Sequence, residues 1–359
     1  MSKLRLLLAF LPIAVLAELL HWGDLPIFIT AALAIVPLAG LMGESTEVLA
    51  EKTGPRLGGL LNATLGNAAE LIITLFAISA GLIELVKASI IGSILGNLLL
   101  VLGLSVLGGG LKNGLQKFNR GHVGLDATMT ILAVIAISIP SIFNAAIEPD
   151  TLRVEELSLT TAAAMLLIYG LSIVYQLRSR TTEESSLGPA IQPTHKTYWS
   201  TRQALGVLVA ATAGIALMSE LLVGSVSGVT ASLGFSEFFV GIIIVPIIGN
   251  VAEHLVAVQV AIKNQMDLSL SIALGSSLQI ALFVAPVLVF VSLLMGQPLT
   301  LEFNGFEMIA LTAASVIAAF VAIDGESNWL EGAMLLAVYL IIALAFFFLP
   351  FTGTGLAVH

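Results

Sequence analysis

The chain has 359 residues, of which 58% are hydrophobic and 10% charged, and it carries a formal net charge of -9. This composition excludes an ordinary soluble domain and predicts a polytopic membrane protein. Because the chain has no cysteine, disulfides, thiolate metal sites and cysteine nucleophiles are excluded, and oxygen and nitrogen are left for any metal chemistry.

Apolar runs of about 20 residues or more are long enough to cross a bilayer, and they predict an all-α protein with about eleven transmembrane helices. The first run follows Lys3 and Arg5 as a signal peptide would, but it lacks a clear cleavage site and is interpreted as the first helix. The predicted spans cover residues 4–22, 25–50, 57–82, 84–110, 123–146, 156–178, 202–228, 236–263, 268–296, 304–323 and 329–350.

The basic residues predict the orientation of these spans. With a cytoplasmic N-terminus, twelve of the fourteen Lys and Arg residues lie in cytoplasmic segments, and only Lys87 and Arg153 lie outside. An odd number of spans then places the C-terminus outside. The short tails favour a prokaryotic cell membrane, so the expected surroundings are a lipid bilayer, with no nucleic-acid partner.

An internal repeat lies within the apolar spans. The motif Gly-Asn-Ala-Ala-Glu at 66–70 returns as Gly-Asn-Val-Ala-Glu at 249–253, and the same offset aligns Gly92-Ser93 with Gly275-Ser276. The two copies run in opposite directions through the predicted membrane, which is typical of a secondary transporter with its site at the midplane. The predicted domains are an N-terminal helix (1–24), a first inverted five-helix repeat (25–178), a cytoplasmic linker (179–201) and a second inverted five-helix repeat (202–359).

Each motif places an amide and a carboxylate on one helix face, Asn67 with Glu70 and Asn250 with Glu253. Ionisable groups are costly inside a membrane and therefore indicate a transport pathway. Two carboxylates with amide and carbonyl oxygens suit Ca²⁺, which takes about six to eight oxygen ligands in flexible geometry.

Glycines accompany both motifs, and they predict a helix break at each site. Gly66 and Gly249 loosen the two helices, and Pro246 removes a backbone hydrogen bond about one turn before the second motif. Such breaks free backbone carbonyls, which then become available as further ligands for a cation.

Polar residues on the helices that follow the motifs form a second candidate set. They are either further ligands or contacts between closely packed helices, and the sequence leaves both interpretations open. This set comprises Ser93, Asn97, Ser276 and Gln279. Acidic residues at span ends, Glu307 among them, are expected to face water or lipid headgroups.

The extended motifs, Gly-Asn-x-x-Glu-Leu at 66–71 and Gly-Asn-x-x-Glu-His at 249–254, resemble those of the cation/proton exchangers. These are the Ca²⁺/H⁺ antiporters of the Ca²⁺:cation antiporter superfamily, and the resemblance covers essentially the whole chain. It implies exchange of cytosolic Ca²⁺ for external H⁺ by alternating access, with Glu70 and Glu253 binding Ca²⁺ and protons in turn. Loss of Ca²⁺ from a dry site would favour protonation of its carboxylates.

The resemblance also implies a role outside the two motifs, where Glu44 and Glu220 correspond to an entrance or gating pair. Within the second motif, His254 is either a proton carrier, since imidazole titrates near neutral pH, or a hydrogen-bonding neighbour of the site. The linker departs from the family, because only Glu183 and Glu184 supply negative charge where many members have a strongly acidic helix. This departure argues against a regulatory linker, and a passive tether is expected.

Other classes of function fit the sequence less well. An intramembrane hydrolase would need an H-E-x-x-H or G-x-S-x-G motif, and neither is present. A divalent cation channel and a Na⁺-coupled Ca²⁺ exchanger remain as alternatives. The chain is expected to be a transporter rather than an enzyme, with no organic cofactor and with Ca²⁺ as the transported ion, and its oligomeric state is left open.

Overall fold

The computed structural model describes residues 4–146, 151–179 and 199–349. Nearly all of the predicted linker lies outside these residues. The first half begins with a 3-10 turn at Leu4–Ala9, and a π-helical turn at Gly96–Val101 joins α4 to α5. Its helices are α1 (Phe10–Leu19), α2 (Asp24–Leu65), α3 (Ala68–Ser79), α4 (Ile83–Leu95), α5 (Leu102–Asn113), α6 (Arg120–Ala146) and α7 (Thr151–Ser179).

The second half has two further π-helical turns, at Val240–Ile244 and Ile280–Val284, and capping boxes at the start of α8, α14 and α15. These boxes pair a Ser or Asn side chain with a Gln or Glu three residues later and so satisfy free backbone donors. The helices are α8 (Thr201–Gly224), α9 (Val226–Leu233), α10 (Glu237–Phe239), α11 (Val245–Ile262), α12 (Met266–Gln279), α13 (Ala285–Leu294), α14 (Gly305–Ile323) and α15 (Trp329–Phe348).

The described residues contain nine helices long and apolar enough to cross a membrane, and each lies at one of the predicted spans. The first predicted span is instead the 3-10 turn followed by the ten-residue α1. The predicted span 57–82 is divided between the end of α2 and the short α3. The all-α polytopic class is therefore confirmed, whereas the number eleven stays a prediction.

The loop predicted after residue 50 is not a separate segment, because α2 is helical throughout. A Cβ atom on Gly58 would nevertheless contact the backbone of Ala50. Residues eight apart in a straight helix are separated by about 12 Å, so α2 must bend sharply between these two residues. The bend falls where the loop was expected.

Element boundaries recur at the offset of the sequence repeat. The helix α4 begins at Ile83 and α12 begins at Met266, 183 residues later, and each continues into a π-helical turn. Likewise α3 ends at Ser79 and α11 at Ile262. The same local structure is thus built twice, which agrees with the predicted duplication.

Packing is closest where the two halves meet. A Cβ atom on Gly92 of α4 would overlap the carbonyl of Ile242 in the π-helical turn before α11. This glycine therefore allows backbone to approach backbone at the centre of the bundle. A short antiparallel pair of strands, β1 (Gln116–Lys117) and β2 (Glu326–Ser327), also links the halves at one end.

Candidate ion-binding site

The two repeated motifs lie on different backbone structures. Gly66 and Asn67 form a non-helical turn between α2 and α3, so the first predicted break is present. The break predicted at Gly249 is absent, because α11 runs unbroken from Val245 to Ile262. Gly249 instead provides space: a Cβ atom there would lie 2.8 Å from Cγ of Glu70, across the boundary between the halves.

The two motif carboxylates lie close enough to interact electrostatically across the boundary between the halves. Glu70 is 4% exposed and lies within hydrogen-bonding reach of Asn250 and Ser93, as well as within electrostatic range of Glu253. Glu253 is half-buried and lies within reach of Ser276. Oε1 of Glu70 and Oε2 of Glu253 are buried without a hydrogen-bond partner. Unpartnered buried carboxylate oxygens are free to bind a cation or a proton.

Two hydrogen bonds cross between the repeats around these carboxylates. The Ser276 hydroxyl donates to Oδ1 of Asn67 over 2.9 Å, and Nδ2 of Asn250 donates to the Ser93 hydroxyl over 3.4 Å. Each motif asparagine thus pairs with the serine of the opposite half, at positions related by the repeat offset. Nδ2 of Asn250 also donates to the Pro246 carbonyl over 3.2 Å.

Two further contacts have no counterpart in the other half. Nδ2 of Asn67 donates to Oε1 of Gln279 over 2.8 Å. Nε2 of His254 lies 3.2 Å from Oδ1 of Asn97 and would donate to it in the tautomer protonated at that nitrogen. The structure therefore brings the motif side chains and most of the supporting residues together in one cluster: Asn67, Glu70, Ser93, Asn250, Glu253, Ser276 and Gln279. The His254 and Asn97 pair lies beside this cluster, about one helical turn from Asn250 and Ser93.

The cluster is rich in oxygen but holds few charges. Across the described ranges no group of three or more His, Cys, Asp or Glu residues is placed to hold a metal ion. A cation in the cluster would therefore be held by two carboxylates together with amide, hydroxyl and carbonyl oxygens. This donor set suits Ca²⁺ better than transition metals, which favour imidazole or thiolate.

The known family that matches this chain does so in two segments, one in each half. The family of sodium/calcium exchanger proteins matches residues 24–178 and 203–348. The chain belongs to this family. The first matched segment begins one residue before the predicted first repeat, the second lies within the predicted second repeat, and the match leaves out the linker between them.

The relatives within this exchanger family cover almost the whole chain. A "Ca(2+)/H(+) antiporter" of Aphanothece halophytica is 47% identical over 96% of this chain and 96% of its own. The "Ca(2+)/H(+) antiporter ChaA" of Bacillus subtilis is 42% identical over 96% of this chain and 98% of its own. The solved structure of native YfkE is 40% identical, with a TM-score of 0.85 over 96% of this chain and 100% of that chain. The predicted resemblance to the Ca²⁺/H⁺ antiporters is confirmed.

Glu44 and Glu220, the predicted entrance or gating residues of this exchanger, are not in contact. The Thr212 hydroxyl of α8 lies 3.7 Å from the Met42 sulfur of α2, and Leu38 approaches Gly214, so the two helices are antiparallel. Glu44 lies two residues from Met42 toward one end, and Glu220 lies eight residues from Thr212 toward the other. At about 1.5 Å per residue they are about 15 Å apart along the helices.

The two glutamates also differ in surroundings. Glu44 is 7% exposed, whereas Glu220 is exposed. Oε2 of Glu44 accepts a hydrogen bond from Nη2 of Arg5 over 2.7 Å. The sequence does not predict this partner, because Arg5 and Glu44 lie 39 residues apart and belong to different predicted spans.

Proposed function

We propose that this chain is a secondary active transporter that exchanges cytosolic Ca²⁺ for external H⁺ at the cluster of Glu70 and Glu253. The observation that carries this proposal is the pair of motif carboxylates, one from each repeat, each with one buried and unpartnered oxygen. Relatives named Ca²⁺/H⁺ antiporters support the identity of the two ions.

Ca²⁺ is the cargo, and its charge would balance the two carboxylates. The Asn67 and Asn250 amides and the Ser93 and Ser276 hydroxyls hold each other across the repeat boundary, which keeps them beside the ion. Because their lone pairs are partly free, these groups can supply further oxygen ligands. The Glu70 side chain reaches this position because Gly249 has no Cβ atom in its path.

Protons would replace Ca²⁺ at the same oxygens. Two like charges close together in a dry environment repel each other strongly, so a site without Ca²⁺ is stabilised by protonation. Ca²⁺ and protons then exclude each other, and this competition couples the two fluxes. His254, bonded to Asn97 beside the cluster, is assigned a positioning role.

Alternating access requires that the site open to one face at a time. The two inverted repeats (25–178 and 202–359) would supply the two conformations, and the cytoplasmic N-terminus would give Ca²⁺ export a direction. This orientation rests on the distribution of Lys and Arg. The B. subtilis relative supports a prokaryotic cell membrane as the location.

The proposal is tested by Ca²⁺ uptake into proteoliposomes driven by an imposed pH gradient. The wild type should take up Ca²⁺, and Glu70→Gln and Glu253→Gln should each abolish uptake, because an amide keeps the shape but can neither release a proton nor balance Ca²⁺. Glu307→Gln is the matched control, since Glu307 is also buried, at 3% exposed, but caps α14 together with Asn304.

Uptake that needs the pH gradient and survives only in the wild type and the control supports the proposal. Uptake driven by a Na⁺ gradient instead would assign the chain to Na⁺-coupled exchange. Ca²⁺ flux without proton movement would indicate a channel.

A further inference from the structure

Arg5 forms an ion pair that the proposed exchange does not use. Its guanidinium lies 2.7 Å from the Glu44 carboxylate and 6.0 Å from the centroid of the Trp199 ring, over the ring face. Arg5 is 47% exposed, whereas Glu44 is 7% exposed. The pair therefore joins a cation that reaches solvent to a carboxylate that does not.

The ion pair lies in a cleft that borders α11, the helix that carries Glu253. Leu4, Arg5, Gly40, Glu44 and Ala252 line one cleft between the N-terminal turn, α2 and α11. A Cβ atom on Gly40 would lie 3.9 Å from that of Ala252, so α2 and α11 touch here. Ala252 directly precedes Glu253 in the chain. The cleft is thus lined by the residue that precedes the proposed ion ligand Glu253, and Leu4 and Arg5 line its other side.

Charge explains why Arg5 occupies this position. A buried carboxylate without a cation is costly, so Glu44 attracts whichever cation reaches it. Glu47 and Glu51 follow on the same helix at the spacing of successive turns, which adds negative potential near the pair. An arginine attached to the chain and a Ca²⁺ ion from solution would therefore compete for the same oxygen atoms.

We propose that Arg5 is a tethered counter-ion that closes the cleft between α2 and α11, and that Ca²⁺ entering from the N-terminal face displaces it from Glu44. This inference rests on the proposed function for the identity of the ion. It makes Arg5 a residue that controls access to the site through the buried Glu44 carboxylate.

A thiol-labelling experiment tests access to the cleft without requiring transport. Because the chain has no cysteine, Ala252→Cys provides a single thiol in the cleft, with Leu41→Cys as a second position should the first variant fail to fold. A membrane-impermeant methanethiosulfonate reagent is applied to everted vesicles, in which the N-terminal face is outward. Loss of a partly exposed ion pair predicts labelling about fivefold faster in Arg5→Gln.

Lys52→Gln is the matched control. It removes one positive charge near the same end, but the Lys52 ammonium donates to the Trp199 carbonyl over 2.6 Å rather than to a carboxylate. Labelling should stay at the wild-type rate in this control. Arg5→Lys should restore slow labelling in part, because lysine keeps the charge but lacks the planar guanidinium.

Glu44→Gln provides a second arm, because it removes the group that holds Arg5. It should speed labelling as Arg5→Gln does, and the double variant should be no faster than either single variant. The wild type should also label faster when Ca²⁺ displaces Arg5. Additive effects of the two substitutions, or equal rates in Arg5→Gln and the wild type, would overturn the proposal.

The inference and the proposed function fail in different ways. If the chain does not exchange Ca²⁺ for H⁺ but Arg5→Gln still speeds labelling in the cleft, the closing role of Arg5 is supported and the assignment of Ca²⁺ as the displacing ion is wrong. If transport is intact and the labelling rate does not change, Arg5 only anchors the N-terminal turn.

Discussion

Side chains at the repeat boundary are positioned by residues of the opposite half. Asn67 accepts a hydrogen bond from Ser276, whereas the neighbouring Ser277 donates to the carbonyl of Ala273 within its own helix. Both hydroxyls belong to buried serines. Ser276 therefore makes a contact between the repeats, whereas Ser277 makes a contact inside its own helix.

Ser276→Ala should weaken Ca²⁺ binding, because Oδ1 of Asn67 loses the hydroxyl donor that holds it beside the site. Loss of one such hydrogen bond, about 1 kcal/mol, should raise the half-saturating Ca²⁺ concentration about fivefold. The measurement is Ca²⁺ uptake into proteoliposomes over a range of Ca²⁺ concentrations. Ser277→Ala should leave the value unchanged, and equal effects of the two substitutions would contradict the assigned role of Ser276.

Individual residues show how far the sequence could predict the site. Glu70 and Glu253 were found because a carboxylate repeated in an apolar span is a local signal. The sequence does not predict that Gly249 leaves space for a side chain, because that side chain, Glu70, belongs to the other half. Glu307 was expected at the surface, but it is buried in a capping box with Asn304.

Helices meet most closely where α4 crosses the π-helical turn before α11. Gly92 leaves no room for a side chain against the Ile242 carbonyl, whereas its repeat equivalent Gly275 has nothing within 4 Å of an added Cβ atom. The two halves are thus equivalent in sequence at this position but not in packing. The crossing fixes the position of Ser93, which follows Gly92 and contacts Asn250.

Gly92→Ala should destabilise the protein, because the added methyl group meets backbone rather than a movable side chain. Overpacking of this kind costs about 1–3 kcal/mol. The apparent melting temperature of the purified protein in detergent should fall by several degrees. Gly275→Ala should be neutral or slightly stabilising, since alanine favours a helix by about 1 kcal/mol over glycine. Equal melting temperatures for the two variants would refute this account of the crossing.

Element boundaries followed from apolar run length in most of the chain, because the bilayer fixes how long a spanning helix must be. The prediction for α14, residues 304–323, differs by one residue from Gly305–Ile323. The π-helical turns were not predicted, since they shift hydrogen bonds within a helix without changing its apolar pattern. The gap predicted between the spans 25–50 and 57–82 is a bend in α2 and not a loop, because the residues remain helical through it.

The whole molecule is organised by two copies of one chain pattern. The starts of α4 and α12, at Ile83 and Met266, lie 183 positions apart, and the π-helical turns that follow these helices and the site residues recur at this offset. If the copies are inverted, equivalent loops lie on opposite faces of the membrane. Leu115, after α5, and Pro298, after α13, are such equivalents, and both are exposed.

Single cysteines at these two loops test the inverted architecture directly. In the cysteine-free chain, Leu115→Cys should react with an impermeant maleimide only in everted vesicles, because it follows a helix that ends on the cytoplasmic face. Pro298→Cys should react only in intact cells, where the external face is outward. Detergent-solubilised protein controls for the intrinsic reactivity of each thiol. Labelling of both positions from the same side would exclude inverted repeats. If each position is labelled only from the side opposite to the expected one, the repeats are inverted but the N-terminus lies outside, and the assigned direction of Ca²⁺ transport is reversed.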